Sequence, residues 1–387
     1  MSVEGPPLRL LVLSQLPPGV GGGEMQTLLQ LREMVGLGHK VTAIDLTPRH
    51  EGPAEDTIDG VRILRVRTPH APVLRALAYH RRIAALTRRE GRGADVAQLN
   101  HLGTGLVTAA PILKSMRVPS VVVIWGSAMK GVGPFGEGWR FKAARRLARA
   151  CERQVVLATA AAANLERDGF DPARIRFIPN GIETGRFRPA EDADRDAGAT
   201  PDPAWPRTGP VAISVGRLVP AKGLDTLIDA WWRVSAAHPA ARLVLVGDGP
   251  LRGALTARAE EAGIADRVHF LGARDDVPEL LRRADLYVSA SRTEGMSNAL
   301  LEALGSGLPV VATRAGSAPD VVVDGGCGLL VPIDAPEALA EGLGRLLADP
   351  ALRSRMGDAA RRRAVAEFSI GAIVRRYIEM YREIAAS

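Results

Sequence analysis

Residues 285–320 contain two short apolar runs, Leu286–Val288 and Val310–Ala312, on either side of a segment that reads as a short helix. Unbroken apolar runs of this length suit strands buried on both faces, which are parallel strands covered by helices. This stretch therefore points to an open α/β sheet. Ser297 is a good N-cap for a helix over Ala299–Leu304, which Gly305 or Gly307 can end before Pro309. Glu294 falls in the strand-to-helix loop, at the edge where such sheets bind ligands. The amides of Gly295, Met296 and Ser297 are expected at the same edge, with positive potential for a phosphate. Glu302 lies inside the helix, where a carboxylate can accept two hydrogen bonds from a vicinal diol such as ribose.

The same alternation runs through the first half. Strands are expected at Leu8–Ser14, Lys40–Leu46, Arg62–Val66, Val96–Leu99, Val121–Ile124, Val155–Thr159 and Ile175–Ile178. Helices are expected over Met25–Val35 and near 72–90, 103–116, 139–151 and 160–168, which predicts a parallel, doubly wound sheet. The first strand leads into a glycine-rich stretch ending in Gly22-Gly23-Glu24, read as a flexible loop at the ligand end. Its G-x-G, with Asp45 downstream, partly matches a dinucleotide fingerprint, but the third glycine position is Glu24 and the loop is long.

In the second half, Val211–Val215 precedes Gly216-Arg217-Leu218-Val219-Pro220-Ala221-Lys222-Gly223 and a helix over Leu224–Ala236. Arg217 and Lys222 thus share one loop at a strand's carboxyl end. Only five of the 50 basic residues are Lys, and Lys222 is the last of them, so it is not generic surface filler. Further strands are expected at Arg242–Val246 and Val268–Leu271, the latter leading to Arg274, with a final strand within Gly325–Pro332 and helix over 335–365 and Phe368–Ala385. Residues 190–208 read as a linker or exposed loop. Asp192-Ala-Asp194 and Asp194-Arg-Asp196 mimic an Asp-x-Asp metal motif, but no strand precedes them, and no metal site is assigned.

At 387 residues the chain is long enough for two domains, and 46% apolar with 24% charged residues indicates a globular protein. Two cysteines, Cys151 and Cys327, make no disulfide framework, which fits a reducing cytoplasm. Leu8–Leu16 is too short to span a bilayer and reads as a strand, not a signal peptide. Charge is uneven: residues 61–160 hold 18 basic and 4 acidic residues. This predicts an anionic partner for the first half; the amphipathic 139–153 segment, with Arg75, Arg81, Arg82, Arg88 and Arg89, reads either as a membrane-binding surface or as a solvated helix face. Nucleic acid is disfavoured: the chain is 4% aromatic, with no stacking module or zinc motif.

Gly22-Gly23-Glu24, Pro179-Asn180-Gly181, Arg217…Lys222-Gly223 and Glu294…Glu302, in that order, resemble the retaining GT-B glycosyltransferases of the family 4 type (glycosyl transferases group 1). The resemblance covers nearly the whole chain. It implies two Rossmann-like parallel-sheet domains facing across a cleft: an acceptor-binding domain over 1–189, the linker, a nucleotide-sugar-binding domain over 209–367, and a helix over 368–387 packing back on the first domain. Pro179-Asn180-Gly181 would set the hinge. The implied activity is metal-independent transfer of a sugar from a UDP- or GDP-sugar to a hydroxyl, with no cofactor. Gly22 and Gly23 would let the backbone approach the donor phosphates. Arg217 and Lys222 would neutralise the diphosphate, Glu294 would serve the transferring sugar, Glu302 the ribose, and Arg274 would lie near the base. On the acceptor side the candidates are Glu24, His101, Trp125 and Ser127; Trp125 stands in a loop where many family members carry His. The implied partner is a lipid-linked or polysaccharide glycan, handled in the cytoplasm at the inner face of the membrane. A nucleotide-sugar 2-epimerase and a non-catalytic nucleotide-sugar binder share this framework and are separated from it by turnover.

Overall fold

The computed structural model describes residues 5–17, 22–49, 53–70, 72–100, 102–125, 139–191, 205–206 and 208–386. They form two units, one of residues 1–181 with 370–387, the other of residues 182–369.

The first unit runs β1 (Arg9–Ser14), α1 (Gly22–Gly36), β2 (Lys40–Arg49), β3 (Glu55–Ile58), β4 (Val61–Arg67), α2 (Pro72–Gly91), β5 (Val96–Asn100), α3 (Thr104–Ser115), β6 (Ser120–Ile124), α4 (Trp139–Ala150), β7 (Arg153–Val156), α5 (Thr159–Arg167) and β8 (Ile175–Phe177). Its sheet has the order β3-β4-β2-β1-β5-β6-β7-β8 and is parallel except for β3 against β4. Central strands such as β5 and β6 are buried at every residue, as continuous apolar runs require. The β3–β4 hairpin goes beyond the sequence expectation. Its turn, Asp59-Gly60, has positive φ at both residues (50° and 80°), the backbone twist that two-residue hairpins use. Two other boundaries move. β7 ends at Val156, and Thr159 opens α5 instead of ending the strand. α1 begins at Gly22, so Gly22, Gly23 and Glu24 form its first helical turn, where a flexible loop was expected. Once the helix is anchored by its buried face (Thr27, Leu31 and Met34), glycine's helix cost of about 1 kcal/mol is outweighed.

The second unit runs β9 (Val211–Val215), α6 (Leu224–Ala237), β10 (Arg242–Val246), α7 (Arg252–Glu261), β11 (Val268–Gly272), α8 (Val277–Arg283), β12 (Leu286–Ser289), α9 (Asn298–Gly305), β13 (Val310–Thr313), α10 (Ala318–Val321), β14 (Gly328–Val331), α11 (Pro336–Ala348) and α12 (Pro350–Glu367). Its sheet, β11-β10-β9-β12-β13-β14, is parallel throughout. The single helical stretch expected over 335–365 is two helices. Asp349 caps α12 by accepting from the Leu352 amide at 2.9 Å, with Pro350 in the first turn.

The last helix, α13 (Ile370–Ala385), belongs to the first unit. It buries Ile373, Val374, Tyr377, Ile378, Tyr381 and Ile384 and packs on α1. Residues 182–189, expected in the first domain, fall in the second. Arg361 holds them there by donating to the carbonyls of Thr184 (3.0 Å) and Phe187 (2.8 Å), while the Ile182 amide donates to Phe368 O at 2.8 Å.

Candidate active site

In the second sheet the connections after β9 and β12 leave in opposite directions, one toward β10 and the other toward β13. Loops diverging from adjacent strands leave a crevice at their carboxyl ends. Both charged motifs lie there. After β9, the chain turns through Pro220–Lys222 into Gly223, which has φ +59°. A Cβ on Gly223 would come within 2.1 Å of the Ala290 carbonyl oxygen, so glycine lets the β9 loop lie directly on the end of β12. That approach puts Lys222 Nζ 2.5 Å from Glu294 Oε2, with side chains only 25% and 18% exposed. The Ser291 hydroxyl donates to the same Glu294 oxygen at 3.3 Å, and Thr313 Oγ1 fixes Ser291 by donating to its carbonyl at 2.6 Å.

Gly316 supports the Glu294 loop from below. It has φ +54°, and a Cβ there would sit 2.1 Å from the Glu294 carbonyl oxygen. A pocket at this point is lined by Gly216, Arg217, Lys222, Tyr287, Ser289 and Ser291 among others. Arg217 is exposed, and none of the described residues pairs with its guanidinium. Ser297 caps α9, accepting from the Leu300 amide at 3.3 Å. The amides of Gly295, Met296 and Ser297 donate to no described group, leaving three donors near the α9 N-terminus.

Glu302 sits in α9 with no hydrogen bond or ion pair to its carboxyl among the described residues. Burial pushes its pKa up to about 7, against a smaller opposing pull from the Arg186 charge. Tyr287 is fully buried, and burial chiefly raises its pKa; the negative charges of both Glu294 and Glu302 add to that, which places the phenol near both carboxylates.

The raised Glu302 pKa makes a pH prediction. Between pH 4.5 and about 7 the folded chain keeps a proton that the unfolded chain has lost, so this group's contribution to stability falls as pH rises through that window. Glu302→Gln is therefore expected to raise the Tm at about pH 8 and to change it little near pH 4.5, by about 2–4 °C per kcal/mol relieved. Thermal melts at both pH values check this. An equal shift at both would contradict a buried charge as the cause.

Arg274 points to a carboxylate already present: Asp276 takes its Nε and Nη2 at 2.8 and 2.7 Å, and Arg274 is not among the residues lining the pocket. In the first unit, Gly23 lies beside Trp125, whose ring would be 3.2 Å from a Cβ on Gly23. Glu24 is half-buried and pairs with none of the described residues. His101, Ser127 and the Asp192–Asp196 segment lie outside the described residues. Among the described residues no group of His, Cys, Asp and Glu has metal-site geometry, and no helix is long and apolar enough to cross a membrane. The sequence reading misses Arg292, which nothing local marks, whereas Gly316 belongs to a Gly-x-x-Pro turn recognisable in the sequence.

The description of Glycosyl transferases group 1 matches residues 200–363, and that of Glycosyltransferase Family 4 matches residues 20–186. The chain is 35% identical over 206 residues to the lipopolysaccharide core biosynthesis glycosyltransferase LpsE of Rhizobium meliloti, covering 53% of this chain and 57% of that one. It is 30% identical over 303 residues to the MMP alpha-(1->4)-mannosyltransferase of Mycolicibacterium hassiacum, covering 76% and 69%. The chain spans about half the length of several other curated relatives. Its fold matches the crystal structure of HepE from Anabaena in complex with UDP, with TM-score 0.77, 21% identity and coverage of 97% and 100%. Two Rossmann-like sheets in this order, both family descriptions and a relative aligned over most of its length agree: the chain belongs to the GT-B glycosyltransferases of group 1 and family 4.

Proposed function

We propose that this protein transfers a sugar from a nucleoside-diphosphate sugar to a hydroxyl acceptor, with retention at the anomeric carbon. The observation that carries the reading is the Lys222–Glu294 pair with Arg217, which pairs with none of the described residues, at the switch point of the second sheet. Glycosyl transfer expels a nucleoside diphosphate, and its growing charge needs fixed positive partners in the transition state. Arg217 and Lys222 supply them, assisted by the Gly295, Met296 and Ser297 amides, which donate to no described group. Glu294 accepts sugar hydroxyls and stabilises the oxocarbenium-like ring, while the departing phosphate takes the acceptor's proton. Glu302 holds the ribose diol as a carboxylate. On the acceptor side Glu24 and Trp125 are the described candidates.

A lipid-linked or polysaccharide acceptor is supported by the names of relatives and by charge. In the first unit α2 packs on α3 and α3 on α4. Arg81, Arg82, Arg88 and Arg89 of α2 and Lys142, Arg146 and Arg149 of α4 are exposed, while Glu90 is the only acidic residue in the three helices. Vesicles containing anionic lipid are expected to bind the protein at low salt, with about 1 kcal/mol per basic residue near the surface. Cosedimentation should decline as salt rises and be lost in the Arg81→Glu/Arg82→Glu/Arg88→Glu variant. Equal binding to neutral and anionic vesicles would contradict the electrostatic surface.

The activity itself is tested with a panel of nucleotide sugars, reading nucleoside diphosphate release with and without a bacterial lipid extract. Release that depends on acceptor is the expected result. Release unaffected by any acceptor, or none with any donor, would refute transfer.

A further inference from the structure

Two residues before Glu294, Arg292 joins three loops of the second unit. Its Nη1 and Nη2 grip both oxygens of Asp225 at 2.8 Å each, in the first turn of α6. Nη1 also donates to Pro220 O at 3.1 Å, and Nη2 to Thr226 Oγ1 at 3.1 Å. Nε donates to Asp334 Oδ1 at 2.6 Å, in the turn after β14. All five N–H donors of the guanidinium are therefore used. The Arg292 backbone joins in, since its amide donates to Ala221 O at 2.8 Å and the Thr293 amide approaches the same oxygen at 3.3 Å. The network fixes Pro220 and Ala221, the residues just before Lys222, against the chain that leads into Glu294.

The partner carboxylates are 43% and 54% exposed, so each pair by itself contributes little to global stability. The network instead fixes geometry. Asp334 holds φ +55°, a left-handed conformation that Asp and Asn adopt more readily than other residues with a Cβ. Arg292 itself does not line the pocket.

We infer that Arg292 is a positioning residue for sugar transfer, clamping the Pro220–Lys222 turn to the Glu294 loop so that the cation and the carboxylate are presented together. The inference rests on the donor-site reading of Lys222 and Glu294 and adds a part to it. Lysine keeps the charge but cannot fork across three loops. A misplacement of about 1 Å at a reacting group costs up to about 10²-fold in rate.

The test compares Arg292→Lys with wild type, each in the Lys222 background and in Lys222→Ala, reading kcat and donor KM from nucleoside diphosphate release. In the Lys222 background Arg292→Lys is expected to lower kcat about tenfold or more with KM changed less than about threefold, and in Lys222→Ala to cause almost no further loss, because groups acting as a unit are not additive. Equal fold losses in both backgrounds, or no loss in either, would overturn the clamp. Asp334→Asn is the second variant: it removes the charge that Arg292 Nε grips, and Asn tolerates the left-handed conformation. It is expected to show a smaller kcat loss of the same kind, and decides the question if Arg292→Lys does not fold. Normal kcat in Asp334→Asn would then refute the clamp. Wild type without turnover on any donor would remove the donor-site reading and the clamp together, whereas wild-type turnover unaffected by Arg292→Lys would remove the clamp alone.

Discussion

Lys222→Ala is expected to lower kcat by about 10²–10³-fold, the usual cost of removing one fixed charge that meets charge developing in the transition state. The effect should fall on kcat more than on KM, because attraction to the leaving diphosphate grows as the glycosidic bond breaks. Steady-state release of nucleoside diphosphate measures it. The ammonium is held in one place by Glu294 at 2.5 Å, and its loop rests on β12 through Gly223. Among the described residues that line the pocket, Arg217, on the same loop after β9, is the one other cation. An unchanged kcat would show that Lys222 does not face the leaving group.

Glu294→Gln is expected to move two measurements in opposite directions. Turnover should fall by about 10²–10³-fold, since the amide keeps a hydrogen-bond acceptor but not the charge that stabilises an oxocarbenium-like ring. Affinity for the nucleoside diphosphate product should rise by several fold. In wild type Lys222 is already paired with Glu294, so a bound diphosphate must share that cation with a carboxylate 2.5 Å away. Removing the carboxylate's charge frees Lys222 for the phosphates. Calorimetry with UDP and GDP alongside turnover separates this from general damage, which would weaken both. Product affinity falling together with kcat would contradict the shared-cation arrangement.

Much of the candidate site is legible in the sequence because each part lies in one short segment. A buried parallel strand is a continuous apolar run, so the loop after it is easy to place, and Arg217, Lys222 and Glu294 all follow such runs. The Ser297 cap and the helix behind it were equally local. The less legible parts depend on partners far apart in sequence. Arg292 meets Asp225 across 67 residues and Asp334 across 42, and in sequence it is one Arg among many. The need for glycine at 316 comes from the Glu294 backbone lying on it. In the first unit the Asp59-Gly60 hairpin carries a local signal, a two-residue turn with positive φ at both positions. The usual freedom of glycine suggests a loop at Gly22 and Gly23, whereas the buried face of α1 draws them into its first turn. The domain boundary was set by composition at Pro189, while hydrogen bonds from Arg361 assign residues 182–189 to the second unit.

The central claim is that the switch point of the second sheet holds the diphosphate of the donor through Arg217 and Lys222. Its most direct measurement is calorimetric titration of UDP and GDP into wild type and into the Arg217→Ala/Lys222→Ala double variant, with Tm recorded for both. The account predicts that wild type binds one of the nucleotides, and that the double variant, still folded, binds it at least about 10²-fold more weakly, as loss of two charge-assisted contacts requires. A folded double variant that binds the nucleotide as tightly as wild type would contradict it.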